Sequence, residues 1–255
     1  MMRQIVFPLA LASMAFLPVG SNADGLDFGS MTPGERSEFR NEVRNYLLEN
    51  PEVIFEAIQI LEQRRNLAAQ QADRDLLLSQ RDAIYNDGFS FVGGNPDGDI
   101  TLVEFLDYRC GFCKRAHPEV QEVLDRDPNV RLIVKEFPIL GPDSVAAGRM
   151  ALAALDLDRS KYEELSDALM TYDGNLTEQV AFKIAGNVGY EISALKEKAA
   201  SDEIDAQLQQ NYALAQALGL QGTPAFIVGN EVIRGYLPVD DLLGAIRDAR
   251  LEQGG

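Results

Sequence analysis

The sequence predicts an α/β domain in which a helical block interrupts a small sheet, preceded by an α-helical N-terminal arm. Three observations carry this. Ile100 to Leu106 (ITLVEFL) and Val130 to Phe137 (VRLIVKEF) are short, mostly apolar runs, as expected of strands covered on both faces. Lys114 to Arg126 lies between them and reads as a helix stopped by Asp127-Pro128-Asn129, so the order is a βαβ unit. From Asp143 to about Leu218 the pattern turns helical, and only then do strands return. A chain of 255 residues has room for one such domain and an appendage.

Residues Met1 to Ala23 read as a secretory signal peptide. Arg3 is the positive start, Ile5 to Val19 an uncharged and mostly apolar run, and Ser21 and Ala23 the small residues before a cleavage point. The run is short for a membrane span and holds Pro8 and Pro18. Thr32 to Tyr85 then looks helical. Phe39, Val43, Tyr46 and Leu47 form one apolar face, and Ile54, Ile58 and Leu61 continue a stripe after Asn50-Pro51, a good N-cap and first-turn pair. This region has too few large apolar residues to fold alone. It is expected to be an oligomerisation arm whose stripe meets copies of itself, the alternative being a helix pair lying on the main domain. Asp73 to Gln80 reads as a helical linker. The arm and linker are expected to fill residues 24–87 and the main domain residues 88–255.

Within the main domain, Gly93 to Gly98 is dense turn chemistry before the first long strand. Five candidate helices follow the βαβ unit, from VAAGRMALAAL to EIDAQLQQNYALAQAL. Ala225 to Val228 and Glu231 to Arg234 are strands joined by Gly229-Asn230, a two-residue hairpin signal. Val239 to Leu251 closes the chain as an amphipathic helix.

Composition removes several functions. Forty acidic against 23 basic side chains, a net charge of −17, make nucleic acid an unsuitable partner. Two cysteines cannot build a disulfide-dense scaffold or a four-thiolate zinc site. A single histidine, His117, removes multi-imidazole zinc sites and leaves little room for a Ser-His-Asp hydrolase.

Both cysteines fall in one motif, Cys110-Gly111-Phe112-Cys113, between a buried strand and a helix. The unpaired N–H groups and positive dipole end of that helix favour a thiolate on the first sulfur. Lys114 and Arg115 add positive charge. Cys110 is therefore the expected nucleophile and Cys113 the resolving thiol, with no cofactor beyond this redox-active pair. A purely structural disulfide would close almost no loop. A two-thiolate Cu(I) site at Cys110 and Cys113 is an alternative, because soft thiolates select that ion.

Glu104 is the only acid inside ITLVEFL. Desolvated there, it would have a raised pKa and could accept and return the proton of Cys113; the alternative is an edge-strand acid facing solvent. Thr223-Pro224 opens the strand AFIV, and these residues leave cis and trans equally open. A cis bond would present the Thr223 backbone to an extended substrate. His117 is expected on the helix surface or behind the site. Lys135 and Glu136 are expected to face solvent, the alternative being positions flanking the thiols.

The motifs VEFLDYRCGFCKRAHP, KEFPILG and GTPAFIVGN together resemble the DsbA-like branch of the thioredoxin superfamily over about Phe89 to Leu251. The resemblance implies a thioredoxin fold with a helical insertion at about residues 143–218. It implies Cys110 as nucleophile, Cys113 as its partner, Glu104 as the buried acid, Pro224 as a cis-proline, and Thr223, Gly111 and Phe112 as substrate-contacting residues. FRNEVRNYLLENPEVIFEAIQILEQRR is similar to the arm of the suppressor-of-copper-sensitivity protein C (ScsC) group, some members of which assemble as trimers and shuffle disulfides. Gly111-Phe112 and Thr223 depart from the Pro-His and Val of DsbA itself and lie closer to the isomerase DsbC. The resemblance thus implies a periplasmic thiol–disulfide isomerase or reductase, trimeric through its arm. Its partners would be misfolded exported proteins and a membrane-embedded thiol redox protein. The alternatives are a monomeric disulfide oxidase and a Cu(I)-binding copper-tolerance protein.

Overall fold

The computed structural model describes residues 29–254; the segment read as a signal peptide lies outside them. Contacts divide the chain into two units, with the division between Glu62 and Gln63. In the first, helix α1 (Pro33–Glu49) opens on a capping box. Thr32 Oγ1 accepts from the Glu35 N–H, and the Glu35 carboxylate accepts from the Thr32 N–H at 2.8 Å. Pro33 takes the first turn, where its missing N–H is not needed. Asn50 both closes α1 and leads into the next helix: its backbone and side-chain nitrogens donate to the Tyr46 carbonyl, so the side chain does not cap forward, while its own carbonyl accepts from the Val53 N–H at 3.2 Å. Helix α2 (Glu52–Ser79) follows Pro51 and crosses the division. No residue of α1 is buried, and Val43, Tyr46, Ile54, Ile58 and Leu61 are exposed.

The second unit is built on a five-stranded sheet of order β1-β3-β2-β4-β5. Strands β1 (Phe91–Gly94) and β3 (Val130–Glu136) pair antiparallel, while β2 (Ile100–Leu106) and β3 pair parallel, bridged by α4 (Gly111–Arg126). Strand β4 (Ala225–Val228) runs antiparallel to β2 and to β5 (Glu231–Arg234). β2 is therefore central and covered on both faces, which explains its lack of polar alternation. Gly229 makes the β4–β5 turn at φ +57°, and a Cβ there would sit 2.7 Å from Ala249. Glycine is required on both counts.

Five helices fill the insertion: α5 (Pro142–Leu157), α6 (Tyr162–Thr171), α7 (Glu178–Val188), α8 (Ile192–Ala199) and α9 (Asp202–Ala217). Thr177, Glu191 and Ser201 cap the last three through their side chains. Residues of α5 to α8 join α4 and the C-terminal α10 (Val239–Gly254) in one apolar core over one face of the sheet. The other face is covered by Leu214 and Leu218 at the end of α9, by Leu77 of α2, and by Ile84 of the short α3 (Arg81–Tyr85).

The last contacts correct the expected boundary. The main unit begins at Gln63 rather than near residue 88, and Asp73 to Gln80 is not a free linker. Leu77 and Ile84 are buried against the sheet, and Asp73 forms a two-pronged ion pair with Arg234 of β5, both contacts 3.1 Å. Lys135 and Glu136 require a second correction. Both are buried, on opposite faces, because β3 has packed layers on either side. Lys135 Nζ bonds the Asp87 carboxylate at 2.6 Å and the Ala83 carbonyl at 2.7 Å, which ties α3 down.

Candidate active site

The chain leaves β2 at Leu106 and must turn at once into α4. Asp107, buried, organises that turn. One carboxylate oxygen accepts from the Ile139 and Leu140 N–H groups at 2.9 and 3.1 Å; the other accepts from the Arg109 N–H and the Ser144 hydroxyl. The Cys110 N–H donates to the Asp107 carbonyl at 3.0 Å. Cys110 is thereby the N-cap of α4, where the helix's free N–H groups face it, and Cys113 lies one turn inside.

The two sulfurs, both free thiols, have opposite environments. Cys110 is 8% exposed, against none for Cys113, and its pKa falls to about 5. The largest cause is a hydrogen bond from the Cys113 side chain; Thr223 and the backbone N–H groups of Cys113 and Phe112 assist, against an opposing contribution from partial burial. Cys113 is fully buried, and that burial first, then its bond to Cys110, pushes its pKa far above an ordinary thiol's. At neutral pH Cys110 is a thiolate beside a protonated Cys113. In its thiol form Cys110 Sγ donates to the Thr223 carbonyl at 3.2 Å. The Thr223–Pro224 bond is cis. Thr223 Oγ1 is buried, influences both sulfurs, and makes no hydrogen bond of regular geometry, so its proton is free to turn toward whichever sulfur is charged.

Glu104 sits on β2, the central strand, so the edge-strand alternative is removed. Only 3% exposed, it is pushed up to about 8 by burial. It occupies the sheet face that α4 covers: Leu102 and Leu106, two residues either side, both share a core with Cys113. Phe112 is exposed beside the thiols, with Ile139 and Leu140 exposed on the loop that Asp107 holds. A groove of about 490 Å³, lined by Gly219 to Ala225, Arg234 and Gly235, runs along the Thr223-Pro224 loop.

His117 is placed outside the reacting atoms: its Nε2 meets Asp167 Oδ1 of α6 at 3.0 Å. Lys114 is spent on the carbonyls of Leu169 and Tyr172 near the end of α6. Sequence reasoning missed Asp107 and misplaced Glu136. The signal for Glu136 was strand parity, since Val130, Leu132, Val134 and Glu136 share one side of β3.

The geometry is that of a dithiol oxidoreductase on a thioredoxin-type sheet. A model of the DSBA-like thioredoxin domain matches residues 101–247, and the chain belongs to that family. Residues 35–68 match the N-terminal domain of the copper resistance protein ScsC. Among solved structures, a thioredoxin-like oxidoreductase from Silicibacter pomeroyi is 44% identical, with a TM-score of 0.64 over 67% of this chain and 97% of that one. Proteus mirabilis ScsC in a transitional conformation is 30% identical, with a TM-score of 0.64 over 88% and 99% of the two chains. Salmonella enterica Typhimurium BcfH is 31% identical, with a TM-score of 0.70 over 85% and 96%. Curated relatives include a Salinispora arenicola Na(+)/H(+) antiporter, NhaA 1, 23% identical over 158 residues; the chain spans about a quarter (24%) of its length. Among the described residues, no helix is long and apolar enough to cross a membrane. The chain is a thiol–disulfide oxidoreductase of the DsbA and ScsC type.

Proposed function

We propose that this oxidoreductase is an exported, periplasmic protein that isomerises or reduces wrong disulfides in misfolded proteins. The observation that carries the reading is the opposed polarisation of the two sulfurs: a thiolate at Cys110, capping the helix and slightly exposed, and a fully buried, protonated Cys113. Cys110 attacks a substrate disulfide, forming a mixed disulfide and releasing a substrate thiolate. The freed thiolate then attacks elsewhere and expels Cys110, or Cys113 expels the reduced substrate, Glu104 taking the Cys113 proton. Phe112, Gly111 and the Thr223-Pro224 loop receive the substrate chain. The exposed arm stripe joins copies of the chain, a trimer being favoured, so that several thiols face one substrate; the match of residues 35–68 to the ScsC N-terminal domain supports this. A membrane-embedded thiol protein keeps the pair reduced.

Refolding of scrambled ribonuclease tests the proposal. Cys110→Ser is expected to abolish turnover, and a chain starting at Gln63 to lose isomerase activity and oligomer mass together while keeping simple thiol exchange. Full activity in Cys110→Ser would refute the mechanism; unchanged mass and activity in the shortened chain would refute the role of the arm. A strongly oxidising measured potential would favour a monomeric oxidase instead. The ScsC match also supports a second reading, Cu(I) held by the two soft sulfurs. Stoichiometric Cu(I) uptake without turnover would favour it.

A further inference from the structure

Behind the thiols lies a second buried carboxyl that the mechanism above does not use. Glu136 ends β3, 1% exposed. Its Oε1 accepts from the Tyr108 hydroxyl at 2.8 Å and the Tyr162 hydroxyl at 2.7 Å. Its Oε2 is equally buried and has no hydrogen-bond partner among the described residues. Asn211 donates to the Glu136 backbone carbonyl, so the strand end itself is fixed. Tyr162 stacks on Phe91, ring centres 4.5 Å apart, and holds its own position.

The register places this group beside Glu104. Glu104 pairs with Val134, and Glu136 is two residues further along the same strand, on the same sheet face. The groups that face Glu136 are Glu104 from β2, Asp107 and Tyr108 from the turn after it, and Tyr162 from α6. No ion-pair partner reaches either Glu104 or Glu136 among the described residues; the neighbouring Lys135 points through the other face to Asp87. Two carboxyls so buried, without a cation, cannot both ionise near neutral pH. Two phenol donors stabilise an anion at Glu136, whereas among the described residues no side-chain hydrogen bond of comparable geometry holds Glu104.

We propose that Glu136, held by Tyr108 and Tyr162, is a positioning residue for thiol exchange: it carries the single negative charge the two carboxyls share and so keeps a proton on Glu104 for the buried sulfur. The inference rests on the reading of Glu104 as the proton carrier. When a substrate thiolate attacks Cys110 of the enzyme disulfide, the new S–S bond forms and the Cys110–Cys113 bond breaks. The electron pair stays on Cys113, which takes the Glu104 proton; solvent reprotonates Glu104. In the reverse step Glu104 first gives its proton to solvent and then accepts the Cys113 proton, while the Cys113 sulfur attacks Cys110 of the mixed disulfide and expels the substrate thiolate. Burial, the largest cause in each case, raises both carboxyls to about 8, and Asp107 and Glu104 add to the rise at Glu136.

Carbon-13 NMR of the side-chain carboxyls in the reduced full chain, with Glu104 assigned through Glu104→Gln, tests this. In Glu136→Gln the Glu104 midpoint is expected to fall by about one pH unit or more, since a like charge is removed. Tyr162→Phe keeps both carboxyls and the ring packing but weakens the anion at Glu136. It is expected to move the Glu104 midpoint the same way by less, and it decides the matter if Glu136→Gln does not fold. The alkaline limb of the rate at which dithiothreitol reduces the oxidised protein should move down with the midpoint. An unmoved midpoint in the folded variants would overturn the shared charge whatever the activity. A moved midpoint with an unmoved rate limb would overturn the proton role of Glu104 and the positioning role with it.

Discussion

The two faces of one sheet bury charge in opposite ways. On the face covered by α3 and the end of α9, Lys135 is fully buried but paired with Asp87 and the Ala83 carbonyl. Burial pulls the Lys135 pKa down and Asp87 pulls it back; burial pushes Asp87 up, but Lys135 and Ser90 outweigh it. On the face covered by α4, Glu104 and Glu136 are buried with no cation. A paired charge is a fastening: it fixes α3 to the sheet and exchanges nothing. An unpaired one costs stability, and burial keeps its proton bound to higher pH. The thiols lie on the unpaired face.

The largest effect should come from breaking the paired face. Lys135→Ala strands Asp87, and is expected to cost about 3–5 kcal/mol in urea unfolding. Lys135→Met combined with Asp87→Asn should recover much of that. A cost near zero in the single variant would mean that the pair is not a fastening.

Removing a buried carboxyl from the other face should do the reverse. The folded pKa of Glu104 is raised, so its contribution to stability is fully present below the unfolded value, 4.5, and is lost as pH rises through about 8. Glu104→Gln removes that loss. It is expected to stabilise the protein by about 3 kcal/mol at pH 7, the gain fading as pH falls toward 4.5, while slowing thiol exchange. Denaturation across this pH range checks it; a destabilised variant with unchanged exchange would contradict the account.

The smallest effect belongs to a charge pair at the surface. Arg234 and Asp73 are bidentate but partly exposed, the Arg side chain at 46%. Asp73→Asn is expected to cost under about 1 kcal/mol and to weaken further in high salt.

What the sequence made legible follows from range. The βαβ unit, the insertion helices and the Cys110–Cys113 motif rest on neighbours within a few residues, and their composition states them. The fates of Lys135 and Glu136 do not. A charge in an apolar run tells nothing of whether a partner waits on each face, and here Asp87 and Tyr162 lie 48 and 26 residues away in sequence. The boundary at Gln63 was hidden for the same reason: in α2 only Leu77 is buried, and a single leucine in a helical run does not announce docking. Asp107 looked like a turn residue; its role as the holder of the Ile139–Leu140 loop needed the third dimension.

The central claim is that the two sulfurs are polarised in opposite directions, and pH-dependent alkylation of the reduced protein tests it most directly. Iodoacetamide modification, mapped by mass spectrometry, should label Cys110 with a midpoint near pH 5 and leave Cys113 untouched well above neutral pH. Equal labelling of both cysteines, or a Cys110 midpoint at the ordinary thiol value of 9.0, would contradict it.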